Sequence, residues 1–360
     1  MKRVMFGLVF ASLLLPGLVR TQGRPLHKPK DSETVKITPL GSRTGELCAW
    51  DVALLFEDPT GVRLLYDPGL TVAGTNDSRL GEVHAVLVSH HHSDHIGGLK
   101  LNQDPDDPAA DCRFNTEYST LTFNTNAAEI AAGKNSAVIV GRTMDAFLRG
   151  KIESLVGVAE CPLQGPANQI VVPRSQPCTT RLAFGARRMV TNATGMPGVG
   201  VTAVAAQHAD EIQRYLLTDS LATPLGDNTL FAYSGLAIGY VLTFTNGLKV
   251  YLSGDTGPTS DMQTIVRGFY KANLAVVNID GVQQMGPEEA AFVVRELVQP
   301  AAVIPSHTHE VSTTNGKVNP GTRLGRFIEL TEDTPVHVPL SGVTMEFDGS
   351  AKCVAGCGSR

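Results

Sequence analysis

The chain has 360 residues, 42% apolar and 18% charged, with a formal net charge of -5. This is the composition of a globular protein with a sizeable core. The acidic excess speaks against a nucleic-acid partner, whose phosphates demand basic patches. The one basic doublet of note, Arg187 and Arg188 in "GARRMV", reads as a solvated turn.

Residues 1–23 open with Lys2 and Arg3, followed by an apolar stretch from Val4 to Val19 that Pro16 interrupts. This is the pattern of a secretory signal peptide. It is short for a membrane span, which needs about 20 residues, and an uncleaved anchor is the alternative. Residues 24–35 read as a flexible leader, 36–348 as the folded domain and 349–360 as a cysteine-containing tail. The expectation is a secreted or periplasmic protein with no stable membrane insertion once the signal is removed. Six cysteines, Cys48, Cys112, Cys161, Cys178, Cys353 and Cys357, are an even count that suits disulfides in an oxidising compartment. Free buried thiols are the alternative, and sequence does not choose a pairing. No C-x-x-C pair exists, so a zinc ribbon is not expected.

"VKITPLG", "DVALLFEDPTGVRLLYDPG" and "VHAVLVSH" read as successive strands, with "DPTG" as a hairpin turn. The last runs into "SHHHSDHIGG", which places four of the chain's ten histidines in a loop after a buried strand. The polar stretch that follows, 101–124, reads as an inserted loop. "NAAEIAAGKNSAVIVG" reads as helix, turn and strand, and "TMDAFLRGKIESL" as an amphipathic helix. "VTAVAAQHAD" is a strand leading to His208, and 211–228 is a second insertion. "GYVLTFTNGLKVYLSGDTG" is a hairpin about Asn246-Gly247 whose second strand leads to Asp255. "PEEAAFVVRELV" is a helix opened by Pro287, and "AAVIPSHTH" a strand leading to His307.

Four apolar strands therefore end in a potential metal ligand: His90, His208, Asp255 and His307. Imidazole and carboxylate are good ligands for a divalent cation. Sheet edges where strands end are where α/β proteins place their sites. No phosphate-binding glycine loop and no serine-hydrolase elbow occurs.

On His90, His92, Asp94 and His95, an H-x-H-x-D-H signature, followed by "GDTG" and "PSH" in that order, the sequence resembles the metallo-β-lactamase superfamily. "YSGLAIGYVLTFTNGLKVYLSGDTG" and "MGPEEAAFVVRELVQPAAVIPSHT" resemble its ascorbate-6-phosphate lactonase-like branch. The resemblance covers most of 36–345 outside the insertions. It implies an α/β fold, an αββα sandwich of two mixed β-sheets flanked by helices, with a metal site at one edge. It implies two divalent metal ions, Zn2+ first and Mn2+ as the alternative. His90, His92 and His208 would hold one ion. Asp94, His95 and His307 would hold the other, about 3.5–4 Å away, with Asp255 bridging. A shared water would lose a proton near neutral pH and attack a carbonyl or phosphorus centre, with Asp94 orienting it and moving its proton. His92 sits where flavodiiron-type relatives carry an acidic residue, which excludes that branch.

His309 would reach the site as an acid or substrate ligand, or else play a supporting or surface role. His91 reads as solvent-facing or behind the ligands, His84 and His337 as structural, and His27 lies in the leader. The implied activity is hydrolysis of a small-molecule ester, lactone or related bond. The alternatives are a phosphodiesterase acting on lipid- or nucleotide-like substrates, a β-lactamase, and a metal-binding module without turnover. The two insertions would form the rim of the site and choose the substrate. Oligomeric state is not legible.

Overall fold

A computed structural model of the chain describes residues 33–101, 112, 119–121, 123–209, 211–228, 230, 232–233 and 235–358. Two sheets dominate. In the first, Val35–Pro39, Leu54–Glu57 and Arg63–Tyr66 form an antiparallel meander. It continues through the parallel strands Ala85–Leu87, Ala137–Gly141 and Cys178–Leu182 to the edge strand Ala159–Glu160. On its other flank stand Met345–Phe347 and Cys353–Ala355. The second sheet runs in the order Ala302–Ser306, Leu274–Asn278, Lys249–Leu252, Ile238–Thr243, Val199–Ala205, Arg187–Thr191 and Gln169–Val171. Its first three strands are parallel and its centre antiparallel.

The strand sequences explain the layering. Successive side chains point to opposite faces, and these strands are apolar on both. Leu64, Tyr66, Ala85, Leu87 and Ile139 meet Tyr240, Leu242, Leu252, Val276 and Ile304 between the sheets. Their neighbours Leu65, Val86, Val138 and Val140 face outward and are covered by Ile130, Leu148 and Ile152. These come from the helices Asn126–Lys134 and Met144–Glu153. Val241, Tyr251, Ala275 and Val277 pack outward against Val266, Val293, Val294 and Phe327. A sheet buried on both faces is the rule for parallel strands. The result is the expected sandwich: helices, sheet, sheet, helices.

Both hairpin turns form where expected, and they are tied together. Gly61 and Gly247 take positive φ, 84° and 98°. The Asp58 carboxylate accepts from Thr60 in its own turn and from the Thr245 amide, at 2.8 Å, in the other. The helix from Pro287 to Phe292 runs on as a wider, π-type coil through Val298. All six cysteines pair, as Cys48–Cys112, Cys161–Cys178 and Cys353–Cys357.

Three expectations need correction. "GARRMV" is no turn: Arg187–Thr191 is a strand, and Arg188 reaches the first sheet, its Nε 3.0 Å from Thr180 Oγ1 and its Nη2 2.9 Å from the Arg181 carbonyl. The second insertion is not featureless, since it holds the strand Glu211–Ile212, a 3-10 turn at Arg214–Leu216 and the helix Asp219–Asp227. The tail is part of the first sheet through Cys353–Ala355. Most of the loop 101–124 lies outside the described residues, as do the signal and the leader up to residue 32; Val35, placed in the leader, belongs to the first strand, and Leu99–Leu101 pairs with Ser119–Leu121 at the base of the loop. No helix among the described residues is long and apolar enough to cross a membrane.

One hydroxyl also ties the two sheets together near the histidine loop. Tyr240 Oη, from the second sheet, lies 2.7 Å from the Val88 carbonyl and 2.9 Å from the Ile139 carbonyl, both in the first. Removing it leaves buried carbonyls unserved, a loss of roughly 1–3 kcal/mol. Tyr240→Phe should lower the denaturant midpoint accordingly at unchanged slope. An unchanged midpoint would show that the hydroxyl does not tie the sheets.

Candidate metal centre

The histidine loop leaves the first sheet at Leu87 and closes into a single helical turn, Ser93–Ile96. His92 stands at its N-cap and Gly97 ends it in the left-handed conformation, φ 71°. Glycine is required there, because a Cβ would collide with Asn126. Three other loops bring their ligands to the same place. His208 follows Val199–Ala205, Asp255 follows Lys249–Leu252, and His307 follows Ala302–Ser306.

All seven residues singled out as ligands converge. Ligand atoms of His90, His92, His208 and Asp255 lie within 4.8 Å of one another, and so do those of Asp94, His95, Asp255 and His307. Asp255 belongs to both groups. Its Oδ2 is 3.2 Å from His95 Nε2, 3.4 Å from His307 Nε2, and 3.8 Å from both His90 Nε2 and His208 Nε2. His92 turns its Nδ1 inward, 3.2 Å from His208 Nε2. The fit to cations rests on the buried donors. His90 Nε2 and His95 Nε2 are buried and make no hydrogen bond among the described residues, although both are aimed at a carboxylate. Buried polar atoms are normally satisfied, and a ring nitrogen without a proton partner is a metal ligand in waiting.

Two aspartates that sequence reading passed over hold the rings in place. Asp67, directly after Arg63–Tyr66, is 2.8 Å from His95 Nδ1 and accepts from Ser89 N and Oγ, each at 2.8 Å. Asp280, after Leu274–Asn278, is 3.4 Å from His307 Nδ1 and 3.2 Å from His309 Nδ1. A carboxylate on Nδ1 fixes the tautomer and aims the Nε2 lone pair at a cation. Asp67, His307 and His309 all hold positive φ, 40°, 52° and 50°. Non-glycine residues rarely adopt that region, and its clustering around a site marks strain tolerated for positioning.

His309 stands beside the centre, its ring 4.5 Å from that of His307 and edge-on to Trp50 at 5.3 Å. His91 is not solvent-facing: it is buried, with its ring 5.0 Å from Phe147. His84 sits just before its strand, where its Nδ1 accepts from Arg63 N at 2.9 Å. His337 lies against Phe347.

The charge balance is unusual. Asp67, Asp94, Asp255 and Asp280 are all buried, and no Lys or Arg among the described residues forms an ion pair with any of them. Their positive partners are imidazoles. Burial works against ionising Asp255, yet the rings of His307 and His95 bring its carboxyl down to about 2. Burial likewise opposes a charge on His307, but Asp255, Asp280 and Asp94 carry it up to about 10. His95 is raised in the same way by Asp255, Asp94 and Asp67. His90 goes the other way, lowered by burial and by the surrounding rings. Protons on His95 and His307 thus supply the positive charge that the carboxylates demand.

A family model described as a beta-lactamase superfamily domain matches residues 51–307. The chain belongs to the metallo-β-lactamase superfamily. It is 29% identical over 279 residues to a UPF0173 metal-dependent hydrolase of Cupriavidus necator, a match covering 75% of each chain. It is 27% identical over 317 residues to a UPF0173 metal-dependent hydrolase of Koribacter versatilis, covering 87% of this chain and 99% of the relative. Among solved structures it matches Igni18, a metallo hydrolase from the archaeon Ignicoccus hospitalis, at a TM-score of 0.52 and 19% identity, over 88% of this chain and 99% of that one. At that identity the likeness speaks for the shared fold.

This superfamily member should respond to change in two ways. Asp67→Ala should weaken zinc binding by roughly 10–100-fold, read by competition with a chromophoric chelator; unchanged affinity would remove Asp67 from the support of His95. Zinc added to metal-free protein at pH 8 should acidify a weakly buffered solution. His307, carried up to about 10, keeps its proton at that pH without cations, and ligands must be neutral to bind one. Loading without proton release would contradict the charge balance described above.

Proposed function

We propose that this chain is an exported metal-dependent hydrolase of small ester, lactone or related bonds, with two divalent cations held by the seven converging residues. His90, His92 and His208 would hold one cation and Asp94, His95 and His307 the other, with Asp255 available to both. The observation that carries this reading is the pair of ligand groups sharing Asp255. The imidazole-rich set without thiolate suits zinc and admits manganese. When bound, the cations supply Lewis acidity and a water acidified to near neutral pH.

The chain's own residues do the rest. Asp67 and Asp280 keep the His95 and His307 rings oriented. Asp94 Oδ2, 2.8 Å from His307 Nε2, accepts the hydrogen bond that orients the attacking water and holds its proton. His309, anchored on Asp280, is the next imidazole and serves as acid toward the leaving group. Burial and the neighbouring His307 lower its pKa from the ordinary imidazole value. The names of the relatives point to hydrolysis, and the three disulfides suit an oxidising compartment.

Elemental analysis of purified protein should find about two equivalents of divalent metal per chain; less than half an equivalent after reconstitution would sink the reading. Asp255→Ala should abolish metal retention, whereas His309→Ala should keep the metal and slow turnover about 100-fold, within the range of a lost general acid. A screen with p-nitrophenyl esters, lactones, phosphodiesters and nitrocefin identifies the bond. Chelator-sensitive turnover of esters or lactones supports the proposal, and turnover confined to phosphodiesters or nitrocefin overturns it.

A further inference from the structure

An apolar hollow lies on the same sheet edge as the metal centre. It has a volume of about 270 Å³, and its wall includes Arg142, Leu182, Phe184, Tyr233, Leu236 and Ile238. Three of these are large apolar side chains open to solvent: Phe184 is 47% exposed, Leu236 61% and Tyr233 68%. Solvent-facing apolar groups gathered in one hollow mark a binding surface rather than chance exposure.

Topology places this hollow relative to the chemistry. Ala85–Leu87, Ala137–Gly141 and Cys178–Leu182 are parallel neighbours in that order. The first runs at its C-terminal end into His90. The other two run, at the same edge, into the Arg142 and Phe184 walls. Two strand spacings separate the outermost pair, about 10 Å. The opposite wall is continuous with the ligand loops as well. Ile238 donates its backbone N–H to the Ser89 carbonyl at 3.0 Å, next to His90. It also pairs with Ala205, at the end of the strand that leads to His208. Tyr233 pairs with Glu211, just past His208. Tyr233, Leu236 and Ile238, which follow the second insertion in the chain, therefore build one wall of the hollow, and the ends of the first-sheet strands build the other.

We propose that this hollow is the subsite for an apolar arm of the substrate, an acyl chain whose carbonyl lies at the metal centre. The inference rests on the hydrolase reading given above and narrows its substrate class to esters or lactones with a medium-length aliphatic acyl group. The volume supports an arm rather than a whole ligand, since pockets that enclose a drug-sized molecule measure roughly 300–1,000 Å³. A chain extending about 10 Å from the scissile carbonyl spans the two strand spacings. Arg142 is the one charged residue in the wall, so an acyl chain without a cation is preferred.

The test compares p-nitrophenyl acetate with p-nitrophenyl octanoate on the metal-loaded protein. A buried methylene is worth about fourfold in binding, so even partial burial of the longer chain predicts kcat/KM at least tenfold higher for octanoate. In Leu236→Ser with Phe184→Ser the preference should fall below threefold, with metal content and acetate turnover unchanged. Both side chains are solvent-facing, so the fold should survive; Tyr233→Ser is the second variant should it not. Equal rates on the two esters in the parent, or a full preference in the variants, overturns the proposal. If neither ester is cleaved, the lactone and ester screen judges the hydrolase reading separately, and direct titration with sodium octanoate judges the hollow. Saturable binding that the variant loses supports an apolar-arm subsite; no binding overturns it.

Discussion

Four carboxylates buried at one sheet edge, with imidazoles as their positive partners, is the constraint on which the rest of this structure depends. Burying one unpaired carboxylate is costly, and Asp67, Asp94, Asp255 and Asp280 lie together. A cluster of that kind persists only if cations sit within it. Without metal, protons on His95 and His307 serve that need. Divalent ions would serve it better, because each brings two charges to ligands already aimed inward. Cations held by these carboxylates would in turn stabilise negative charge developing on a substrate oxygen.

The fold exists to deliver those groups with little freedom to move. Each ligand-bearing loop follows a strand of the sandwich, so its backbone origin is set by the sheet. Tyr240 locks the two sheets at the root of the histidine loop. Gly69 lets the chain pass the Asp94 carbonyl, where any side chain would collide. Asp67 and His307 accept left-handed backbone as the cost of placing their side chains. At the same edge Tyr233, Leu236 and Ile238 face the ends of the first-sheet strands over an apolar hollow.

Much of this was legible in the chain. Apolar runs closed by His90, His208, Asp255 and His307 betray both the strands and the edge at which they stop. The two hairpins follow from Asp-Pro-Thr-Gly and Asn-Gly, whose backbone preferences are local. What was missed depends on distant partners. Asp67 in "YDPG" and Asp280 in "IDG" carry the signal of an ordinary turn, and only the rings of His95 and His307 give them another purpose. Three consecutive histidines cannot be assigned to faces from sequence, so the burial of His91 against Phe147 was hidden. Arg187 and Arg188 read as a turn because charge suggests solvent, yet strand pairing is a backbone matter and Arg188 found acceptors in the neighbouring sheet. Cys353–Ala355 joins the first sheet by backbone pairing, in a tail with no apolar alternation to announce it.

The central claim is that one carboxylate joins two cation sites. Anomalous diffraction from crystals soaked with zinc, recorded on both sides of the metal absorption edge, tests it most directly. The account predicts two peaks, one among His90, His92 and His208 and one among Asp94, His95 and His307, with Asp255 bound to both. A single peak that leaves Asp255 unliganded, or one seated among Asp280, His307 and His309 instead, would contradict it.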